Sequence, residues 1–144
     1  MVRFARIGAL LLAVIALSAG CGGDDDGGGG GSDGGAAGIK SCLDDAGLDV
    51  FSEKESTELD PKLVAAGATH SMQAIDVNQQ DYSYEVFVFS APDKASKYAT
   101  EQQKSFDEQP QLKFQAEAFG PNVVTTTSDA PKRSDVQSCA KETG

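Results

Sequence analysis

Two segments with apolar residues at helical spacing lie near the ends of the larger, C-terminal part of the chain. Residues 39–46 carry apolar side chains at i, i+3, i+4 and i+7, which predicts a short amphipathic helix with Cys42 on its apolar face. Gly47 follows directly and is typical of the position after a helix C-terminus. Residues 134–141 predict a second short helix, in which Cys139 also faces inward.

Five segments have the patterns of β-strands. The clearest is residues 82–89, in which Tyr82 and Tyr84 share one face with two valines while Phe87 and Phe89 lie on the other. Because both faces are apolar toward its end, we expect this strand to be central in a sheet. The other predicted strands, of which the last two form a hairpin, are residues 48–51, 72–77, 112–118 and 123–127.

Two further helices are predicted between these strands. Asp60 followed by a proline is typical of a helix start, and Gly67 is a plausible stop, so this helix is short. Ser90, with Asp93 three residues later, predicts a capping box at the start of a longer helix. The apolar stripe of that longer helix continues to Phe106.

The order of these elements predicts an α+β fold with a small antiparallel sheet. The middle of the chain runs β-α-β-β-α-β, with an added strand and a helix at each end, which is the order of the ferredoxin-like or split βαβ arrangement. Helices packed on one face would leave the other face solvated, covered by a partner or paired in a homodimer. Residues 39–144 have the length of one domain.

The first residues have a pattern of their own. Arg3 and Arg6 precede an apolar run at residues 7–19. This run is shorter than the roughly 20 apolar residues that a membrane-spanning helix needs. Positive charge, a short apolar run and small residues in that order predict a secretory signal peptide over residues 1–20.

The end of the signal carries a resemblance to a known class of proteins. Ala19 and Gly20 lead directly into Cys21, and this sequence resembles the lipobox of bacterial lipoproteins. The class prefers leucine three residues before the cysteine, whereas this chain has Ser18 there and Leu17 one place earlier. The resemblance implies that Cys21 carries a lipid anchor, which would hold the chain at the extracytoplasmic face of the cell membrane.

Composition and charge extend this interpretation. Residues 22–38 are mostly glycine with four aspartates, so with the lipidated Cys21 we expect residues 21–38 to form a disordered tether. Without Arg3 and Arg6 the chain has ten basic against 22 acidic residues, a formal charge of −12. Such a charge argues against nucleic acid as a partner, because phosphate binding needs a cationic surface.

The three cysteines fit the same interpretation. If Cys21 carries lipid, Cys42 and Cys139 remain to pair in an oxidising compartment. Such a bridge would close a loop of nearly 100 residues, and loop-closure entropy assigns it roughly 4–5 kcal/mol. A redox CxxC pair or a zinc site would need a different spacing and other companions.

Little else in the chain points to chemistry. His70 is the one histidine, so a His-dependent triad or a two-histidine metal site is excluded. The stretch that begins at Asp76 resembles the start of a calcium loop, but Asp81 replaces the required glycine. Four acidic residues before a helix are expected to form a solvated loop: Glu53, Glu55, Glu58 and Asp60. We therefore predict no catalytic residues, no metal site and no cofactor.

Tyr82 and Tyr84 are the candidates for a partner or ligand face. Two tyrosines on one sheet face can anchor a ligand through an apolar body and a polar tip. The alternative is that they pack beneath a helix. The predicted function is a non-catalytic binding or interaction domain on a lipid anchor, for an unknown envelope protein or small ligand. A small ferredoxin-like dimeric enzyme and an envelope structural or assembly subunit stay open as alternatives.

Overall fold

The five strands lie close to the segments that the sequence predicts, and they form one antiparallel sheet. The structure is a computed structural model and describes residues 33–144. Within this range the order across the sheet is β1-β2-β3-β5-β4, with every neighbouring pair antiparallel. The strands are β1 (Leu48–Glu55), β2 (Ala68–Asp76), β3 (Gln79–Phe89), β4 (Phe114–Phe119) and β5 (Asn122–Thr127).

Helices precede, connect and follow these strands, and the described residues form four α-helices and one 3-10 turn. No helix in the described part of the chain combines the length and the apolar character that crossing a membrane requires. The helices are α1 (Asp33–Asp45), α2 (Pro61–Ala65), α3 (Pro92–Asp107) and α4 (Arg133–Glu142), and the 3-10 turn is Pro110–Leu112.

The strand β3 has helices on both of its faces. Tyr84, Val86 and Val88 are buried beneath α1 and α4, on what we call the terminal-helix face. Phe87 and Phe89 are buried on the opposite face, the α3 face, against Ala95 and Ala99 of α3 and side chains at α2. The alternating apolar residues of β3 therefore build two separate cores, which confirms its central position. Helices therefore pack on both faces of the sheet.

The antiparallel α+β class is confirmed, but the strand order matches the split βαβ arrangement only in part. The unit β3-α3-β4 is a split βαβ, because both strands pair antiparallel with β5 between them and so run parallel to each other. The first predicted unit is absent from the described sheet, since β1 pairs directly with β2. The physical reason is that α2 is a single short helix on a wide connection between neighbouring antiparallel strands, and does not carry the chain over a third strand.

Several element boundaries differ from the sequence prediction: β1 ends at Glu55, β2 begins at Ala68 and β3 begins at Gln79, and three further differences are local. Helix α1 begins at Asp33, six residues before the predicted domain start, so residues 33–38 are helical and were wrongly assigned to the tether. The N-cap of α3 is Ala91, and the Ser90 hydroxyl instead accepts a hydrogen bond from Lys94 Nζ (3.0 Å). Leu112 ends the 3-10 turn and is 44% exposed, so β4 begins two residues later than predicted.

The disulfide between Cys42 and Cys139 is present, as the cysteine count predicted. It joins α1 to α4 on the terminal-helix face, with the two Cα atoms 5.6 Å apart. The bonded residues are 97 positions apart, so the bridge connects the first and last described helices. The predicted signal peptide, Cys21 and the tether up to residue 32 lie outside the described residues.

Candidate functional site

Helix α3 presents a stripe of three side chains toward the sheet at four-residue intervals. Tyr98, Gln102 and Phe106 lie at i, i+4 and i+8, and this spacing places them on one side of the helix. All three are partly exposed, whereas Ala95 and Ala99 beside them are buried against the sheet. The stripe therefore forms the rim of the α3 face and leaves room between the helix and the strands.

Alternate residues of β3 supply the facing wall. Ser83, Glu85 and Phe87 point to the α3 face because successive strand residues point to opposite sides. Thr125 of β5 pairs directly with Glu85, and Phe114 begins β4 one strand further out. The four-residue spacing along α3 and the alternation along the strands thus bring together eight side chains from α3, β3, β4 and β5.

These side chains enclose an open groove of about 310 Å³, which we call the α3 groove. Its aromatic members form two pairs. Phe87 and Tyr98 have ring centroids 5.4 Å apart with a 64° angle between their planes, and Phe106 and Phe114 have centroids 5.4 Å apart at 39°. Such spacings are those of favourable aromatic contacts, so the walls are held in place by ring packing. The groove lies at the lower end of the range of ligand sites, roughly 300–1,000 Å³.

The polar groups of the α3 groove are few. Glu85 alone is charged among the described residues that line it, and one of its oxygens accepts a hydrogen bond from Gln73 Nε2 (3.1 Å). The ion pairs found among residues 33–144 join other residues and leave Glu85 without a cationic partner. Within residues 33–144, the buried Oγ1 of Thr125 has no hydrogen-bond partner.

The phenol of Tyr98 is strongly affected by this environment. Burial of the ring, with a smaller contribution from repulsion of the phenolate by the nearby Glu85 carboxylate, raises the pKa of Tyr98 to about 12. Tyr98 is therefore neutral at physiological pH. Chemically, the groove is lined by an aromatic surface, three side chains with hydroxyl groups, an amide and one carboxylate. It can bind a small ligand, and its polar members are hydrogen-bonding groups and one anion.

The structure separates the two tyrosines of the predicted face. Tyr84 is fully buried beneath the terminal helices, and its hydroxyl accepts a hydrogen bond from the backbone N–H of Lys132 (2.9 Å). Burial raises the pKa of Tyr84, although the Lys132 hydrogen bond opposes this. Tyr82 is partly buried against the same core. Tyr84 thus packs beneath a helix, which was the alternative to a ligand face, and neither tyrosine lines the α3 groove.

The other acidic candidates have local structural roles. Asp76 is buried and accepts a hydrogen bond from the Asn78 backbone N–H (2.9 Å), which stabilises the turn between β2 and β3. Asp60 accepts from the Lys62 backbone N–H (2.8 Å) as the N-cap of α2. Glu53 lies on β1, not in a loop as expected, and pairs with Lys40 Nζ at 2.9 Å. No cluster of three or more potential metal ligands occurs within the described range.

Sequence reasoning found the parts of the α3 groove but not the groove itself. The stripe containing Tyr98, Gln102 and Phe106 was treated as the packing face of a helix. The signal that could have marked it is the polar Gln102 inside that stripe, together with Glu85 two residues before Phe87 on the same strand face. Their proximity depends on β5 lying between β3 and β4, which local sequence does not reveal.

Comparison with known proteins finds no relative of this chain. No family model, no curated protein and no solved structure matches the chain.

Proposed function

We propose that this chain is a lipid-anchored extracytoplasmic protein whose folded domain binds a small ligand without carrying out a reaction. The anchor is Cys21, the membrane partner is the outer surface of the cell membrane, and the ligand site is the α3 groove. The observation that carries the anchor is the pairing of Cys42 with Cys139. This disulfide accounts for two of three cysteines and leaves Cys21, in its lipobox-like setting, as the remaining thiol.

The disulfide also supports the location. Structural disulfides form and persist in oxidising compartments and are rare in the cytosol of most organisms. The pair is well placed for a structural role, because Cys139 is buried in the core of the terminal-helix face and Cys42 is partly buried and packs against that core. A bond of this kind forms after export, and a signal peptide directs export. The predicted signal peptide and the disulfide therefore support each other.

The binding role is supported by the open, aromatic character of the α3 groove. Four rings and one carboxylate provide a surface for a small molecule. The one carboxylate of the groove, Glu85, accepts a hydrogen bond from the Gln73 amide, and the tyrosine of the groove is held in the neutral form. These features favour binding over reaction chemistry.

Metabolic labelling with an alkyne fatty acid tests the anchor. We expect wild-type protein to be labelled and Cys21→Ser to be unlabelled, because the lipid would be attached at that thiol. The matched control is the double variant Cys42→Ala, Cys139→Ala, which removes two cysteines and should keep the label. Equal labelling of wild type and Cys21→Ser would contradict the proposal.

A further inference from the structure

Building on the proposed ligand-binding function, we propose that the α3 groove selects a small organic cation: an amine that carries one aromatic ring or a short alkyl body. The groove combines four aromatic rings with a single charged side chain, the carboxylate of Glu85. Each property alone is common, and their combination defines the ligand chemistry.

The charge of the ligand follows from Glu85. This carboxylate lines the groove and has a neutral hydrogen-bond donor, Gln73, but no cationic partner within residues 33–144. A bound ammonium group supplies the missing positive charge, whereas a bound anion would face repulsion from Glu85 in a partly desolvated site. The chain as a whole carries a formal charge of −10, which also favours the approach of cations over anions.

The body of the ligand follows from the rings. Aromatic faces attract organic cations through their quadrupole and also bury the apolar part of such a ligand. Phe87 with Tyr98, and Phe106 with Phe114, form two ring pairs in the same groove, so an amine can contact rings while its apolar body is covered. A volume of about 310 Å³ limits the ligand to a small molecule.

A neutral amide completes the site. Gln102 extends from α3 into the same groove. Its side-chain oxygen can accept a hydrogen bond from an ammonium N–H.

The test is equilibrium dialysis of the full chain in nonionic detergent against three probes with similar bodies: phenethylamine, phenethyl alcohol and 3-phenylpropionate. We expect the amine to bind about threefold or more tightly than the alcohol, and the carboxylate probe to bind most weakly, because the probes differ mainly in their polar group. Detergent uptake is subtracted with matched detergent blanks. Equal binding of amine and alcohol, a preference for the anion, or no binding of the amine would overturn the inference.

Matched variants locate the site. Glu85→Gln should weaken phenethylamine binding about three- to tenfold, whereas Glu108→Gln, the same change of charge at an exposed residue after α3, should alter it less than about twofold. Equal weakening by both variants would indicate bulk attraction and contradict the groove. If Glu85→Gln loses the Cys42–Cys139 disulfide or the wild-type circular dichroism, the variant is misfolded. The comparison of the three probes on the wild-type protein then decides whether the groove selects a cation. Neither result depends on Cys21, so failure of the anchor and failure of the groove are distinguishable.

Discussion

At the scale of single residues, Tyr98 connects the core of the α3 face with the groove beside it. Its ring packs against Phe87 and Phe89, with centroids 5.4 and 5.1 Å away, and its other side lines the groove. Burial and, to a smaller extent, the Glu85 carboxylate together raise the pKa of Tyr98 to about 12. The fold therefore favours the neutral phenol over the phenolate.

This preference predicts a loss of stability at alkaline pH that Tyr98→Phe should reduce. The pKa of Tyr98 in the fold is about 12, above the ordinary value of 10.0 for tyrosine. The stabilisation of the fold by the neutral phenol is therefore complete below pH 10 and is lost as pH rises through about 12. We expect the urea midpoint of wild type to fall between pH 10 and 12 more steeply than that of Tyr98→Phe. Comparison at pH 8 provides the baseline for each protein. Parallel curves for the two proteins would show that Tyr98 does not contribute.

The two tyrosines of β3 show how far residue-level prediction reaches. Alternation correctly placed Tyr82 and Tyr84 on one side of a central strand, since a strand's side-chain period follows from its backbone. Whether that side was exposed depended on α1 and α4, which come from opposite ends of the described chain. Lys132, which donates to the Tyr84 hydroxyl, is 48 residues away in sequence. No local pattern contains that information.

At the scale of elements, the crossing of α1 and α4 explains why a glycine-rich segment is helical. Ala36 is buried in the core, and Gly35 and Gly38 face Thr143 at the end of α4. A Cβ on Gly38 would lie 3.2 Å from Cγ2 of Thr143, closer than an ordinary contact. Glycine is a poor helix former, and here packing outweighs its propensity. Sequence composition alone therefore predicted a tether where the helix begins.

A double-mutant cycle tests this crossing. Gly38→Ala should gain helix propensity of about 0.5–1 kcal/mol, but in wild type the new methyl group meets Thr143. Thr143→Ser removes Cγ2 and retains Oγ1, which donates to the Cys139 carbonyl at 2.8 Å. We expect Gly38→Ala to raise the free energy of unfolding by that amount in the Thr143→Ser background, and by less in wild type, as measured by urea denaturation. The same increment in both backgrounds would rule out the close contact.

The edge strand β4 is contacted by helices from both faces of the sheet. The backbone N–H of Ala116, on the edge strand β4, donates to Oε1 of Gln103 on α3 (2.9 Å). On the other face of β4, Glu117 pairs with Arg133 of α4 (2.6 Å). Helices from both faces thus bind the same edge strand and occupy one of its free donors, which limits its availability for pairing with another chain.

At the scale of the whole molecule, the disulfide and the α3 groove lie on opposite faces of one sheet. The Cys42–Cys139 bond ties α1 and α4 together on the terminal-helix face, whereas the groove depends on α3 and strands β3, β4 and β5. The disulfide and the proposed binding site therefore belong to different layers of the fold. The hydrophobic pattern predicted the strands and the cysteine count predicted the bond, but the division between faces required the full strand order.

The last prediction concerns the energetic role of this bond. The double variant Cys42→Ala, Cys139→Ala should lower the free energy of unfolding by about 2–5 kcal/mol, because opening a loop of 97 residues returns entropy to the unfolded chain. Cys21→Ser is the matched control and should leave stability unchanged, since Cys21 precedes every described element of the two cores. Urea denaturation of the three proteins under non-reducing conditions measures both effects. An unchanged midpoint in the double variant would mean that α1 and α4 pack equally well without the bond, and that its role is not to stabilise the fold.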